Sequence, residues 1–410
     1  MARVVITGMG AITPVGNNVQ DFLDGIYSNQ VGIAPITHFD ATETGVTVAG
    51  EVKGYDPAER VGKREARKMD IFAQYGVHAA GEALENAGLK DGFENPERVG
   101  VVLGNGIGGL TTIQDNVIKM NEKGPQRVSP MFVPNGIPNM ASGNVSLRYG
   151  AKGVNYTIST ACASATNAIG ESYLRIKAGM NDIMITGGTE GTINEIGIAG
   201  FAALTALSTE VDPLKASTPF DTNRHGFVMG EGAGVLILES LEHAKARGAN
   251  IIAEVVGYGA NSDAYHLTSP TPDGSGPAGS MKLAIADAGI QASDIDYVNA
   301  HGTATGANDA AESKALELTF GPQGVLASST KGMTGHLLGA AGAIEAIAAI
   351  GAFQKHVLPE NVGLVEQDPE TVGALLVNAT NKQVDPTYVL SANYGFGGHN
   401  AAVIFKKWGE

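Results

Sequence analysis

The chain contains a single cysteine, Cys162, in the stretch STACASATNAIG at residues 159–170. A run typical of a β-strand, residues 154–159, precedes it, and a pattern typical of a helix that ends at Gly179 follows it. Cys162 is therefore predicted to lie in a strand-to-helix turn, where the free N–H groups of the helix start favour a thiolate or a nearby oxyanion. This segment alone leaves two alternatives open, a catalytic nucleophile and a buried structural thiol.

Two histidines stand in glycine- and threonine-rich loops that could supply the partners of a nucleophilic cysteine. His301 follows a short strand pattern in YVNAHGTATGANDAAE, residues 297–312. Lys331 and His336 flank a glycine turn in SSTKGMTGHLLGAAGAIEA, residues 328–346. Strand ends are where α/β folds assemble active sites, although most single histidines are only core or surface residues.

The elements that must position these residues alternate along the chain. Helical patterns such as residues 66–88 and 277–290 lie between many of the strand patterns, so we predict an α/β fold with largely buried sheets. A faint repeat of strand, glycine-rich loop and strand (residues 182–239 and 388–407) suggests two related halves, residues 1–248 and 249–410. The strand patterns cover residues 3–8, 99–104, 154–159, 182–188, 234–240, 251–259, 295–300 and 401–407.

Composition excludes several classes of protein. The 27 Lys and Arg residues against 42 Asp and Glu give a net charge of −15, which argues against a general binder of nucleic acid or anionic membranes. The longest apolar run, residues 337–353, is short for a membrane span and contains Glu345, so a buried helix is expected. One cysteine cannot form an internal disulfide, and the N-terminus shows no signal-peptide pattern, so we expect a cytoplasmic location.

One basic run opposes the global charge. The stretch KREARKMD places Lys63, Arg64, Arg67 and Lys68 at spacings that share one helical face. Such a run is usually a solvated face, but on a protein this acidic it could also dock an acidic partner.

Together these motifs resemble those of the β-ketoacyl-[acyl-carrier-protein] synthases, and within them the elongating type II enzymes. The similarity runs nearly end to end, from RVVITGMGAITPVG to NYGFGGHNAAVIFKK, with STACASA, NAHGTATGAND and SSTKGMTGHLLGAAGA between them. It implies a thiolase-like fold, in which two similar α/β halves form a five-layered α-β-α-β-α core, usually as a homodimer. It also implies fatty acid elongation by ping-pong chemistry: a decarboxylating Claisen condensation of malonyl-carrier protein with an acyl group on Cys162.

The resemblance assigns catalytic roles. Cys162 corresponds to the acyl-accepting nucleophile, and His301 and His336 to the pair that promotes malonyl decarboxylation. Two neutral imidazole N–H donors would stabilise the enolate, so neither a metal nor a cofactor is expected to be required. Lys331 corresponds to the lysine that orders the site, and Glu312 to its ion partner. Phe396 corresponds to the gate, whose backbone N–H would form the oxyanion hole together with that of Cys162.

The resemblance also assigns binding roles. Thr303 and Thr305 correspond to the residues that contact phosphopantetheine. The walls of the acyl tunnel correspond to Ile107, Phe132 and Phe201. The docking site of the acidic acyl carrier protein corresponds to residues 63–68 with Arg127. Some relatives hold a monovalent cation at positions that match Asn299, Glu345 and Ser391. Ala392 stands where an asparagine is common, which makes this cation doubtful here.

Four alternatives to this interpretation have to be weighed. A thiolase needs a second cysteine, and an initiating synthase (KAS III) pairs its cysteine with His and Asn, whereas this chain offers a second histidine. A polyketide ketosynthase shares nearly the same motifs, although the lack of an acyltransferase segment favours the fatty-acid role. A non-catalytic chain-length subunit usually lacks the cysteine.

Overall fold

Eleven strands form one mixed sheet in the computed structural model, which describes residues 1–409. The order across this sheet is β11-β10-β9-β12-β13-β8-β1-β7-β6-β4-β5, and β2 pairs with β3 separately. The strands are β1 Val4–Ile12, β2 Ala34–Pro35, β3 Val48–Ala49, β4 Val99–Gly104, β5 Asn155–Ile158, β6 Ile183–Glu190, β7 Gly232–Ser240, β8 Ala253–Ser262, β9 Tyr297–Asn299, β10 Leu326–Ser328, β11 Leu375–Leu376, β12 Tyr388–Gly395 and β13 His399–Lys407.

The two halves of the sheet repeat one topology. The first half runs β5-β4-β6-β7-β1 and the second β10-β9-β12-β13-β8, with β11 added at the edge. In each half the first three strands are parallel and the last two pairings are antiparallel. The halves join through three residue pairs of β1 and β8. The faint repeat in the sequence is therefore a true structural repeat, while the division at residue 248 stays a prediction.

Helices cover both faces of this doubled sheet and fill the space between its halves. The helices are α1 Val19–Tyr27, α2 Lys63–Ala66, α3 Ile71–Asn86, α4 Leu110–Lys123, α5 Phe132–Gly136, α6 Met140–Tyr149, α7 Ser164–Lys177, α8 Glu195–Ala203, α9 Leu241–Ala246, α10 Ser275–Ala288, α11 Gly306–Phe320, α12 Lys331–Thr334 and α13 Ala341–Lys355.

The packing of four helices defines the layers. Helices α7 and α13 contact each other and strands of both halves, so they form the middle layer. Helix α3 packs on β1, β7 and β6 of the first half, and α10, with α11 against it, packs on β8 and β13 of the second. The predicted five-layered α-β-α-β-α core is confirmed.

The predicted helices are present with shifted ends. The helix expected over residues 66–88 begins only at Ile71, because the Asp70 carboxylate accepts the Phe72 N–H and caps α3. Upstream of it, α2 covers only Lys63–Ala66, so the prediction that the four basic residues share one helical face is wrong. The apolar run after His336 forms the buried helix α13, and across residues 1–409 no helix is long and apolar enough to cross a membrane.

Candidate active site

A cavity of about 390 Å³ opens where the two halves meet. One side-chain donor atom from each of Cys162, His301 and His336 lies within 4.8 Å of the other two. The structure thus brings the predicted nucleophile and both predicted histidines to one point. Seven of the predicted site residues line the cavity: Cys162, Phe201, His301, Thr303, Thr305, His336 and Phe396.

Cys162 lies in the predicted turn between β5 and α7. Ala161, just before it, has a φ of 50°, which is uncommon for alanine and is held by local hydrogen bonds. The Ser164 hydroxyl donates to the Ala161 carbonyl over 2.6 Å and accepts the Thr160 N–H over 2.9 Å. Cys162 therefore lies on a strained but anchored turn.

The glycine at position 395 lets a second backbone segment approach this turn. A Cβ added to Gly395 would lie 2.6 Å from the Thr160 oxygen and 3.1 Å from the Cys162 nitrogen, so only glycine fits. Phe396 follows directly. Within the described residues the N–H groups of Cys162 and Phe396 donate to no acceptor, which leaves two backbone donors for an oxyanion.

The environment of Cys162 favours the neutral thiol. Burial raises the pKa of Cys162 to about 12, and the carboxylates of Glu190 and Glu345 add to the shift, while Lys331 opposes it. The expectation that the helix start favours a resting thiolate therefore does not hold, because the loss of hydration outweighs it. The thiol needs a proton acceptor when it attacks.

Both histidines are neutral and nearly fully buried. Burial, with the nearby positive charge of Lys331, holds the pKa of His301 and of His336 well below the usual range. The Nδ1 atom of His301 lies 3.2 Å from Asn393 Nδ2 and 3.5 Å from Lys331 Nζ, which are both donors. Nδ1 must accept, so the ring proton sits on Nε2. Neither ring nitrogen of His336 has a partner within residues 1–409.

This hydrogen-bond pattern favours an oxyanion over a metal at the cluster. A thiolate and two imidazoles could in principle bind a soft metal such as zinc. Coordination at Nε2 of His301 would push its proton onto Nδ1, against the donors of Asn393 and Lys331. An anionic oxygen that accepts the Nε2–H creates no such conflict.

The predicted ion pair between Lys331 and Glu312 is wrong. The Lys331 ammonium donates to Glu345 Oε1 and to the His301 carbonyl, each over 2.5 Å, and both side chains of the pair are 1% exposed. Glu312 instead accepts the backbone N–H groups of His301 and Gly302, each over 2.7 Å. The reason is that α13 delivers Glu345 to the lysine, whereas α11 directs Glu312 to the loop that carries His301.

Asn393 belongs to the candidate site, although the sequence analysis did not predict it. Its Nδ2 donates to Glu345 Oε2 over 2.6 Å, and its Oδ1 accepts the Thr166 hydroxyl over 2.5 Å. The network thus links α7, α12, α13 and β12 behind His301. A signal for it exists in the sequence: Glu345 is the lone charge in an apolar run, and a buried carboxylate needs a partner.

The proposed cation positions lie on one face of the sheet. Asn299 in β9 and Ser391 in β12 occupy paired positions, and Asn299 Oδ1 and Ser391 Oγ are buried without partners within the described residues. Glu345 reaches Asn393, two residues along the same face. These oxygens suit a hard monovalent cation. Ala392 points to the opposite face, into an apolar cluster, so the side chain there gives no reason for doubt.

The predicted tunnel residues are only partly brought together. Ile107 and Phe201 pack on one apolar cluster that includes Phe227 and Leu338, and Phe201, Phe227 and Leu338 also line the cavity. Phe132 lies half-buried in α5 and does not belong to that cluster. The structure of the single chain therefore does not place Phe132 beside Cys162.

The predicted docking residues are all exposed but fall into two places. Lys63, Arg64, Arg67 and Lys68 surround α2, and Lys68 pairs with Glu65. Asp70, just after them, accepts the N–H and hydroxyl of Thr112 at the start of α4. Arg127 follows the other end of α4, whose 14 residues span roughly 21 Å. The basic run and Arg127 are therefore separated within one chain.

Comparisons with known proteins show the family of this chain. Residues 1–244 match the family model "Beta-ketoacyl synthase, N-terminal domain", and residues 252–365 match "Beta-ketoacyl synthase, C-terminal domain". A 3-oxoacyl-[acyl-carrier-protein] synthase 2 of Vibrio harveyi is 48% identical, over 100% of this chain and 99% of that protein.

Solved structures give the same result. A β-ketoacyl synthase from Burkholderia phymatum is 36% identical with a TM-score of 0.92, and both chains are covered completely. A type II polyketide-synthase ketosynthase, solved in complex with its acyl-carrier protein, is 30% identical with a TM-score of 0.91, again over both full chains. The chain belongs to the β-ketoacyl synthase family.

Proposed function

We propose that this chain is an acyltransferase of fatty acid elongation, a β-ketoacyl-[acyl-carrier-protein] synthase of type II. It condenses malonyl-carrier protein with an acyl group held on Cys162 and yields 3-oxoacyl-carrier protein, free carrier protein and CO2. The observation that carries the proposal is the convergence of Cys162 with two neutral histidines on one cavity. The name and 48% identity of the Vibrio harveyi relative support the elongating role.

In the first half-reaction the acyl group moves between two thiols. The Cys162 sulfur attacks the thioester carbon, and the lone pair on a ring nitrogen of His336 takes the thiol proton. The N–H groups of Cys162 and Phe396 stabilise the oxyanion. Collapse of the tetrahedral intermediate expels the carrier thiolate, which recovers the proton from His336. The products are the acyl-enzyme and the free carrier, and the exchange of one thioester for another is nearly isoenergetic.

In the second half-reaction carbon–carbon bond formation follows decarboxylation. Malonyl thioester loses CO2, and its thioester oxygen becomes an enolate that accepts the Nε2–H of His301 and an N–H of His336. The enolate carbon attacks the acyl carbonyl on Cys162. The Cys162 thiolate leaves and takes up one proton from solvent, which restores the enzyme. Each step uses only side chains and backbone donors of this chain, so we propose that no resident cofactor is required. A monovalent cation near Asn299, Glu345 and Ser391 would act only structurally.

The alternatives have less support. The polyketide ketosynthase is 30% identical to this chain, against 48% for the fatty acid synthase relative. A non-catalytic chain-length subunit would not require side-chain atoms of Cys162, His301 and His336 to lie within 4.8 Å of one another. Incubation with a long acyl-carrier thioester and malonyl-carrier protein should release CO2 and form the 3-oxoacyl carrier two carbons longer. Absence of that product would contradict the proposal.

The proposed partner is an acidic acyl carrier protein that docks near α2. The charges at Arg64, Arg67 and Lys68 are exposed on a chain with a net charge of −15, so they form a local positive surface. Reversing all three to Glu should raise KM for carrier-bound substrates by about three- to tenfold at low salt and flatten the salt dependence of KM. Steady-state kinetics over a range of salt concentrations measures both quantities.

A matched control separates docking from total charge. Lys90, Lys245 and Lys282 are also exposed, and they lie away from α2. Reversing these three makes the same change in net charge and should leave KM within about twofold. An equal rise in KM for both sets would leave the α2 residues as an ordinary solvated surface.

We further propose a cytoplasmic homodimer. The strand β5 is an edge of the sheet and is only partly buried, so its backbone groups are available for pairing. No side chain of the 14-residue helix α4 is buried, although Val117, Ile118 and Met120 are apolar and exposed. A second copy on this face would cover both features. Sedimentation equilibrium should give twice the chain mass, and a monomer at micromolar concentration would contradict the dimer.

A further inference from the structure

A buried carboxylate outside the catalytic set joins two loops of the site. Glu190 is the last residue of β6 and is fully buried. The first loop, here called the tunnel loop (residues 105–109), leads from β4 to α4 and carries Ile107. The second, the histidine loop (residues 335–340), carries His336 and Leu338. Glu190 accepts hydrogen bonds from both.

The contacts of Glu190 are all with N–H donors. Its Oε2 accepts the N–H of Gly106 over 2.8 Å and that of Gly339 over 3.1 Å. The Asn105 side-chain amide adds a longer hydrogen bond to Oε1, over 3.4 Å. Within the described residues these hydrogen bonds come from backbone and side-chain amides, which are uncharged. Burial raises the pKa of Glu190 to about 7, so a charge on this carboxyl is energetically costly.

The two loops touch through glycines that leave no room for a side chain. A Cβ on Gly339 would lie 2.2 Å from the Gly106 nitrogen, and a Cβ on Gly106 would lie 2.7 Å from Glu190 Oε2. Next to this contact, Leu338 has a φ of 47°, an uncommon conformation for leucine that needs firm anchoring. The Glu190 hydrogen bond to the adjacent N–H of Gly339 supplies that anchor.

The histidine loop lines the cavity, and the tunnel loop packs against the apolar cluster behind it. Leu338 lines the cavity beside Cys162 and packs in the apolar cluster on which Ile107 and Phe201 also pack. A shift of either loop would therefore change the space for an acyl chain and the position of the segment that carries His336.

We infer that Glu190 is a positioning residue that fastens the tunnel loop to the histidine loop and thereby sets which acyl chain lengths the site accepts. This inference rests on the proposed condensing function. Glu190 itself touches no reacting atom and acts through Ile107 and Leu338. The two loop N–H groups share Oε2, so an amide that turns its NH2 toward them loses both bonds, and one that keeps its oxygen there turns its NH2 toward the Asn105 side-chain amide.

The test compares chain-length selectivity in Glu190→Gln and in a matched control. We expect the ratio of kcat/KM for tetradecanoyl- over hexanoyl-carrier protein to fall at least about fivefold, mainly through KM for the long chain. Gly106→Ala should lower the ratio in the same direction, because it disturbs the same junction. Glu231→Gln is the control: Glu231 is also buried, its pKa is also raised to about 7, and its partners His38, Val52 and Tyr75 lie in neither loop. It should lower Tm without changing the ratio.

The possible outcomes separate this inference from the proposed function. A wild-type protein that takes up no acyl group refutes the condensing function itself. An active wild-type protein with an unchanged ratio in Glu190→Gln overturns the role of Glu190. If the variant does not fold, hydrogen exchange of the wild-type protein decides. The amides of Gly106 and Gly339 should then be protected together, and fast exchange at both amides would overturn the inference.

Discussion

Replacing Cys162 with Ala should lower the rate of condensation by roughly 10³-fold or more while the protein folds normally. The reason is that Cys162 is the one thiol of the chain, so no other thiol can accept the acyl group beside the two histidines. Alanine fits the turn between β5 and α7, so the free energy of unfolding should change by about 1 kcal/mol or less. Product formation and urea unfolding measure the two effects. Undiminished condensation would remove Cys162 from the mechanism.

Cys162→Gln provides the contrasting variant. The glutamine amide places a carbonyl where the acylated cysteine would have one, so the histidines should meet a site that mimics the acyl-enzyme. Release of CO2 from malonyl-carrier protein should be retained or raised, although no condensation product forms. Loss of CO2 release in this variant would count against the role of His301 and His336 in decarboxylation.

Removal of Lys331 should damage both stability and decarboxylation. The Lys331–Glu345 pair is 1% exposed on each side, so Lys331→Met leaves a buried carboxylate with only Asn393 as a donor. We expect a loss of about 3–5 kcal/mol in the free energy of unfolding. Since Nδ1 of His301 then keeps only the Asn393 donor, its proton is held less firmly on Nε2, and CO2 release should fall roughly 10²-fold.

A double-mutant cycle identifies the partner of Lys331. The variant that combines Lys331→Met with Glu345→Gln should recover most of the lost stability but not the lost activity. The coupling energy between Lys331 and Glu345 should reach about 2 kcal/mol, and the coupling with Glu312 should stay below about 0.5 kcal/mol. Stronger coupling to Glu312 would show that the ion pair described above is wrong.

Local patterns in the sequence were sufficient to predict the strands, turn and helix that position the active-site residues. Cys162 lies in the predicted strand-to-helix turn, and the strand predicted over residues 99–104 is β4 to the residue. The apolar run after His336 is the predicted buried helix. These predictions succeed because each depends on neighbours within one element. The very short strands β10 and β11 lack such a pattern, since they have three and two residues.

Local patterns could not predict the contacts between elements that are distant in the sequence. The pairing of Lys331 with Glu345 depends on how α12 and α13 turn about the histidine loop, and Asn393 joins them from β12. The resting thiol of Cys162 is similar: the helix start favours a thiolate locally, but burial by both halves decides the pKa. The contacts of Glu190 likewise join the tunnel loop and the histidine loop, which are far apart in the sequence.

The most direct test of the central claim is intact-mass spectrometry of the wild-type protein. After incubation with a long acyl-carrier thioester, we expect a single added acyl mass that peptide mapping places on Cys162. On addition of malonyl-carrier protein this mass should disappear as the 3-oxoacyl carrier two carbons longer appears. No adduct, or an adduct elsewhere in the chain, would contradict the assignment of Cys162 as the nucleophile of an elongating synthase.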